Sequence, residues 1–266
     1  MPMSRIDTRF AQLKSARRKA LVPFVTAGDP SLDATVPVMH ALVAAGADVI
    51  ELGVPFSDPM ADGPTIQRSS ERALARGVGI DYVMRCVREF RERDAGTPVV
   101  LMGYLNPVEI RGPGAFATLA AESGVDGILL VDLPPEEAAE FRDAFEAAGV
   151  ALILLASPTS SDARISMLRR LARGYLYYVS FAGVTGAADR LDARAAGERL
   201  RAIRSGTDVP VVAGFGIKDA ASAAAMAVDA DGVVVGSALV SAIADAADPA
   251  AAARAFLAPL RAALDA

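Results

Sequence analysis

A carboxylate at the end of an apolar run is the first feature of this sequence that could do chemistry. Glu51 shares parity with Val49 in the run Asp48–Leu52, so both side chains would point to the same side of a strand. If that side is an apolar interior, burial would raise the pKa of the carboxyl toward neutrality and make it a usable general acid and base. Glu51 could instead be a surface residue or a member of an ion pair in the core.

A stiff polar loop follows Glu51. Residues 54–65 contain Asp58, Asp62 and three prolines. Structured loops on a rigid scaffold often carry binding or catalytic residues. The two aspartates could equally be ordinary turn residues, and Asp62 could be the N-cap of the helix that follows.

Two glycine-rich turns late in the sequence indicate an anion site. Gly214 and Gly216 follow one apolar run, and Gly236 with Ser237 follows the next and opens a helix. Glycine lets backbone N–H groups approach a phosphate closely, and a helix N-terminus favours negative charge. A third glycine-rich stretch, residues 183–186, could form a mobile lid.

Few other residues suggest chemistry. A single cysteine and a single histidine exclude a disulfide framework and a metal centre built from several of these residues. His40 falls within a helical segment and is interpreted as a packing residue. Lys218 lies beyond a strand end, at a helix start, where a Schiff base is not expected. The sequence therefore predicts neither a metal nor a cofactor.

Charge and hydropathy limit the classes of partner that the chain could bind. Lys and Arg number 27 against 32 Asp and Glu, a net charge of −5 that argues against a general nucleic-acid binder. The apolar runs are of strand length, too short to span a bilayer. Six basic side chains in residues 1–19, with no apolar segment after them, do not form a signal peptide. We expect a cytoplasmic protein without nucleic-acid or membrane partners.

Apolar runs of strand length alternate with longer segments of helical period. The runs are nearly continuous in Val, Ile and Leu, which is typical of parallel strands covered on both faces. The predicted strands are Leu21–Thr26, Asp48–Leu52, Pro98–Met102, Gly127–Asp132, Val150–Leu155, Gly174–Ser180, Val209–Ala213 and Gly232–Val235. The predicted helices are Asp33–Ala45, Thr65–Arg76, Ile80–Asp94, Ala115–Ser123, Glu136–Ala148, Ser161–Arg173, Ala193–Arg204 and Asp219–Val228.

Eight strands and eight helical regions predict an α/β fold, a single (β/α)8 TIM barrel over residues 1–266, with residues 1–20 as an N-terminal helical segment. The glycine-rich turns then follow strands 7 and 8, where such barrels bind phosphate. A doubly wound open sheet is the alternative. It would carry a glycine-rich phosphate loop after the first strand, and Thr26–Pro30 does not match that pattern.

A weak internal repeat supports the single barrel. Residues 45–50 (AGADVI) recur as residues 123–128 (SGVDGI) and again as residues 228–233 (VDADGV). Each copy is interpreted as a helix C-terminus that feeds directly into a buried strand, and glycine suits the left-handed position at such an end.

Longer segments of the sequence resemble one family. Residues 51–67, ELGVPFSDPMADGPTIQ, closely resemble the signature of tryptophan synthase α chains. Further segments match in family order across nearly the whole chain: Val22–Pro30, Val131–Pro134, Tyr177, Gly183–Gly186, Gly214–Gly216 and Gly236–Ser237.

The resemblance implies a lyase that cleaves indole-3-glycerol phosphate to indole and glyceraldehyde 3-phosphate. It implies that Glu51 is the catalytic acid and base and that Asp62 hydrogen-bonds the indole N–H. Positions around the indole ring would be Phe24, Met102, Leu129 and Phe215, with Tyr177 as a further active-site residue. The phosphate cradle and the lid would involve Thr185, Gly186, Gly216, Gly236 and Ser237.

The resemblance also implies a partner, the β chain of tryptophan synthase, in an α2β2 assembly. Pyridoxal phosphate is expected only in that partner. Loops Val54–Pro64 and Tyr104–Pro107 would form much of the docking surface. Phe181 stands where well-known members carry Arg, which affects how the lid closes and signals to the partner.

Three alternatives remain open. The chain could be a free-standing lyase that works without a β chain. It could be another phosphate-binding barrel, such as a sugar-phosphate isomerase or indole-glycerol phosphate synthase, although the 51–67 block argues against this. It could also be a non-catalytic subunit that only activates a partner. The presence of both Glu51 and Asp62 argues against this alternative.

Overall fold

The computed structural model of the protein describes residues 3–179, 193–214 and 216–266. Its strands are β1 Ala20–Thr26, β2 Ile50–Gly53, β3 Val99–Gly103, β4 Gly127–Leu130, β5 Ala151–Ala156, β6 Leu176–Val179, β7 Val211–Gly214 and β8 Gly232–Val235. Its helices are α1 Arg5–Ala16, α2 Thr35–Ala44, α3 Pro64–Ala75, α4 Ile80–Arg91, α5 Leu105–Arg111, α6 Pro113–Ser123, α7 Ala138–Ala147, α8 Asp162–Leu171, α9 Ala193–Arg204, α10 Ala220–Ala227, α11 Ser237–Ala244 and α12 Pro249–Asp265.

The eight strands close into one parallel barrel. They follow one another in chain order, and β8 pairs with β1 to close the ring. The register places Phe24 beside Glu51 on β1 and β2, and Glu51 beside Val100 on β2 and β3. The predicted (β/α)8 barrel is thereby confirmed. No helix within the described ranges is both long and apolar enough to cross a membrane.

Strand parity divides the apolar residues into two cores. At β6, Tyr177 and the preceding residue Tyr175 belong to the cluster inside the barrel, whereas Leu176 and Tyr178 belong to the cluster between the barrel and its helices. This two-sided burial explains why the strands are apolar at nearly every position.

Helix α1 closes the N-terminal end of the barrel. The Ser4 hydroxyl caps it by accepting the backbone N–H of Asp7 at 3.1 Å. Its buried side chains, Ile6, Phe10 and Leu13, join the cluster inside the barrel. The Phe10 ring lies 5.8 Å from the ring of Tyr175, centroid to centroid, so this helix also supports a residue deep in the barrel.

The aspartate that the three repeated segments share has a clear structural role. Asp48, Asp126 and Asp231 each precede an even-numbered strand, and each carboxylate accepts the backbone N–H of a residue at the start of the preceding strand, at 2.8–2.9 Å. Each also pairs with an arginine, respectively Arg261, Arg91 and Arg204. The repeat therefore fastens neighbouring strands together at the N-terminal end of the barrel.

The element boundaries differ from the prediction in a few places. The prediction that Tyr104–Pro107 forms a loop is wrong. Tyr104 is the N-cap of α5, and Pro107 lies in the first turn of this helix, where a missing N–H costs no hydrogen bond. β4 ends at Leu130 rather than Asp132, whose carboxylate instead accepts the N–H of Leu105 at 2.8 Å. β6 begins at Leu176 rather than Gly174.

Candidate active site

Glu51 lies on β2 with its carboxyl fully buried inside the barrel. The Tyr175 hydroxyl donates to its Oε1 at 2.6 Å, and Oε2 has no hydrogen-bond partner in the described part of the chain. Burial raises the pKa of Glu51 from 4.5 to about 7, against the opposing effect of the Tyr175 hydrogen bond. The side chain can therefore hold a proton up to neutral pH and give it to a reactant.

Asp62 is the second carboxylate of the site, and it is half-buried at the end of the 54–63 loop. The Tyr104 hydroxyl donates to its Oδ2 at 3.0 Å. Burial raises the pKa of Asp62, and the hydrogen bond from Tyr104 opposes that rise. Asp62 is not the N-cap of α3, since that position is taken by Gly63. Its carboxylate does not cap the helix and is therefore available to a ligand.

Tyr104 holds both ends of the loop that carries Asp62. Its ring stacks on Phe56 near the start of the loop, with centroids 4.8 Å apart and planes 22° apart. Its hydroxyl accepts the backbone N–H of Ala61 at 3.0 Å while donating to Asp62. The side-chain amide of Gln67 donates to the Asp62 carbonyl at 2.8 Å. These contacts fix the position of the carboxylate without any help from helix capping.

An apolar cleft with a polar edge lies at the C-terminal ends of β1 to β4. Its walls include Phe24, Met102, Val131 and Ile66, and Asp62 and Tyr104 supply polar groups. Apolar walls beside a carboxylate suit a largely apolar ligand that carries an N–H, because the carboxylate can accept its hydrogen bond. Leu129, which pairs with Met102 across β3 and β4, is fully buried inside the barrel and does not line the cleft.

Tyr177 lies on β6, near both carboxyls. Burial, followed by the charges of Glu51 and Asp62, raises its pKa well above the ordinary value, so its hydroxyl stays protonated. Gly214 on β7 makes room for it, because a methyl group at that position would collide with the Tyr177 hydroxyl. Gly214, the last residue of β7, is therefore needed for packing as much as for any approach to an anion.

The two glycine-rich turns lie at the ends of β7 and β8. Gly216 has a φ of +67°, which favours glycine, and open space where a side chain would begin. Gly236 is the N-cap of α11, no side chain caps this helix end, and Ser237 is exposed as its first residue. Among the described residues, no side chain accepts a hydrogen bond from the N–H groups of this first turn, so they can receive an anion.

Three predicted site residues, Thr185, Gly186 and Phe215, lie outside the described residues, and so does the proposed lid with Phe181. His40 and Lys218, for which the sequence predicts no chemical role, lie away from the two carboxylates. His40 packs on Phe90 with ring centroids 4.8 Å apart, and burial lowers its pKa. Lys218 is exposed beyond the end of β7.

Two tyrosines of the site were missed in the sequence. Tyr175 could have been found by parity, because it stands two residues before Tyr177 and therefore faces the same side of β6. Tyr104 gave no such signal. Its role depends on the fold of the 54–63 loop, which brings Asp62 to it across 42 positions of the chain.

Comparison with known proteins agrees with this architecture. The family model for the tryptophan synthase alpha chain matches residues 10–263. The chain is 71% identical to the tryptophan synthase alpha chain of Xanthomonas oryzae pv. oryzae over 266 residues, and 70% identical to that of Xylella fastidiosa over 267 residues, with 99% of each chain covered in both cases. It is similar to the crystal structure of tryptophan synthase subunit alpha from Legionella pneumophila, at a TM-score of 0.93 and 47% identity over 99% of both chains. The chain belongs to the family of tryptophan synthase alpha chains.

Proposed function

We propose that this lyase-family chain cleaves indole-3-glycerol phosphate to indole and glyceraldehyde 3-phosphate. The observation that carries the proposal is Glu51, a fully buried carboxyl whose pKa is raised to about 7 and whose Oε2 is unpaired in the described structure. The apolar cleft and Asp62 give the substrate ring a place and an orientation.

The reaction divides into two proton transfers. Indole is a poor leaving group, so Glu51 first protonates the ring carbon that carries the side chain, which makes the ring an electron sink. The resulting carboxylate then takes the proton of the neighbouring side-chain hydroxyl. The carbon–carbon bond breaks, its electron pair returns to the ring, and the hydroxyl carbon becomes the aldehyde. Glu51 ends protonated, ready for another cycle.

Asp62 supports the first of these steps. Protonation of the ring carbon puts positive charge on the ring and makes the ring N–H more acidic. A hydrogen bond from that N–H to the Asp62 carboxylate strengthens as the charge develops, so it stabilises the transition state more than the bound substrate.

The phosphate is expected at the turns after β7 and β8. Backbone N–H groups near Gly216, Gly236 and Ser237 would receive it, with the N-terminus of α11 contributing its dipole.

Substitution of Gly236 by valine is expected to weaken binding of glycerol phosphate about tenfold or more, because a branched side chain fills the space the anion needs. A side chain has room at this position, since an added Cβ would meet Phe24 only at ordinary contact distance. Calorimetric titration measures the affinity. Gly79→Val is the control, because Gly79 is also a helix N-cap without a side-chain cap and has open space around it. If both variants bind glycerol phosphate with equal affinity, the phosphate does not bind at this turn.

A β chain is the expected partner, with pyridoxal phosphate on the partner's side and α2β2 as the assembly. Two exposed apolar side chains support a docking surface at the catalytic end. Met60, in the Asp62 loop, is 86% exposed, and Ile110 on α5 is 79% exposed. A partner docked at this end would remove both apolar side chains from water.

Addition of the β chain is expected to raise the rate of indole release at least about fivefold, because the partner binds the competent arrangement of the Asp62 loop preferentially. Met60→Asp should weaken this activation. Val228→Asp should not, because Val228 is 71% exposed but ends α10 at the opposite end of the barrel. If the same-source β chain leaves the rate unchanged, the free-standing lyase is the better account.

The test of the proposed function is direct. Purified protein is incubated with indole-3-glycerol phosphate, with and without β chain, and indole is followed with time. Indole release in both conditions supports the proposal. Release in neither condition, while the chain still activates the β chain, would identify it as a non-catalytic subunit.

A further inference from the structure

We propose that Tyr175 and Tyr104 are positioning residues of the site, each holding one oxygen of a carboxyl group so that the other oxygen is presented to the substrate. The inference rests on the function proposed above. It is drawn from two hydrogen bonds that share one arrangement, although they join unrelated parts of the chain.

Tyr175 holds Glu51 from within the barrel. Its hydroxyl donates to Oε1 at 2.6 Å, and both residues are fully buried. The Phe10 ring of α1 packs against the Tyr175 ring, which limits its movement. Oε2 is buried and has no partner among the described residues. A carboxyl fixed through one oxygen keeps the other in a constant place, so Oε2 is the atom that exchanges the proton with the substrate.

Tyr104 holds Asp62 from the rim of the cleft. Its hydroxyl donates to Oδ2 at 3.0 Å, and in the described part of the chain no hydrogen bond reaches Oδ1. Tyr104 is itself fixed by its stack on Phe56 and by the N–H of Ala61. Oδ1 is therefore the oxygen that accepts the ring N–H of the substrate.

Among the described residues, few other ionisable groups act on the two carboxyls. In the described ranges, Tyr175 and Tyr177 face Glu51, and Tyr104 and Tyr177 face Asp62. Asp132 acts on Tyr104 from the end of β4. Each positioning tyrosine is thus the hydrogen-bond donor of its own carboxyl, and removing one hydroxyl leaves the other pair in place.

The two tyrosines should control different sides of the pH profile. The reaction begins with Glu51 protonated, so activity falls as pH rises through the pKa of Glu51. It requires Asp62 ionised, so activity also falls as pH drops through the pKa of Asp62. Each tyrosine lowers the pKa of its carboxyl, because its hydrogen bond favours the charged form. Loss of a hydroxyl therefore moves only the limb of that carboxyl, and moves it to higher pH.

The experiment measures kcat/KM for indole release against pH in three variants. Tyr175→Phe should move the high-pH limb upward by about one pH unit and leave the low-pH limb in place. Tyr104→Phe should move the low-pH limb upward and leave the high-pH limb in place. Tyr178→Phe is the matched control: Tyr178 is buried on β6, faces outward, and its hydroxyl has no partner in the described structure. It should move neither limb.

Uniform loss of activity in Tyr175→Phe and Tyr104→Phe, with both limbs in their wild-type places, would show that the tyrosines only support the structure and would overturn the inference. Release of no indole by the wild-type chain would contradict the proposed function instead. In that case infrared titration of Glu51 in the wild type and in Tyr175→Phe still decides the inference, since an unchanged titration midpoint would contradict it.

Discussion

Substitution of Glu51 by glutamine is expected to lower the rate of indole release from indole-3-glycerol phosphate by two to four orders of magnitude, roughly the contribution of general acid–base catalysis. Glutamine keeps the shape of the side chain and can still accept the Tyr175 hydrogen bond at its oxygen. It cannot donate and recover the proton that both steps require. Substrate binding should persist, because the cleft and the phosphate turns are unchanged. Single-turnover measurements of indole release, alongside substrate affinity, separate these two effects.

Glu89→Gln is the matched control for this loss, because Glu89 is an exposed glutamate on α4, on the outside of the barrel. It should retain the wild-type rate. Near-native turnover in Glu51→Gln would mean that another group supplies the proton.

The same substitution is expected to stabilise the folded protein at alkaline pH. The pKa of Glu51 is about 7 in the fold against an ordinary 4.5, so the unfolded chain releases its proton at lower pH than the folded one. Stability from this residue therefore falls as pH rises between those values, and the loss is complete above about pH 7. The loss amounts to about 3.5 kcal/mol, since one pKa unit corresponds to about 1.4 kcal/mol.

Glutamine does not titrate, so the advantage in folding free energy of Glu51→Gln over the wild type should grow by about 2.5 kcal/mol between pH 5 and pH 8. Urea unfolding at both pH values measures this difference. A difference that stays constant across the range would show that burial does not disfavour the charged form of Glu51. The predicted gain in stability and the predicted loss of activity have one cause, the burial of an ionisable group.

Much of the fold can be read from the sequence because each strand is apolar on both faces. The predicted strands overlap all eight observed ones. Glu51 is recognisable because it lies at the end of an apolar run, on the same side of the strand as Val49. The repeat of residues 45–50 is also visible in the sequence, but the structural role of its aspartate is not. Asp48, Asp126 and Asp231 fasten neighbouring strands, whereas the sequence suggested only the glycine that ends a helix.

The contacts of the site are harder to predict from the sequence, because they join residues that are far apart in the chain. Tyr175 and Glu51 are 124 residues apart, and only the closure of the barrel brings them together. Asp62 was open to interpretation as an N-cap, and the choice depends on where the 54–63 loop meets Tyr104. Helix α5 was missed since Pro107 resembles a loop residue until its place in the first turn is known.

The central claim is that burial keeps Glu51 protonated near neutral pH, so that it can act as the acid. The most direct measurement is an infrared titration in which the wild-type spectrum is compared with that of Glu51→Gln at each pH. The account predicts a protonated carboxyl band that belongs to Glu51 and disappears with a midpoint at about pH 7. A midpoint near the ordinary 4.5 would contradict it, because Glu51 would then carry no proton to give at the pH where the protein works.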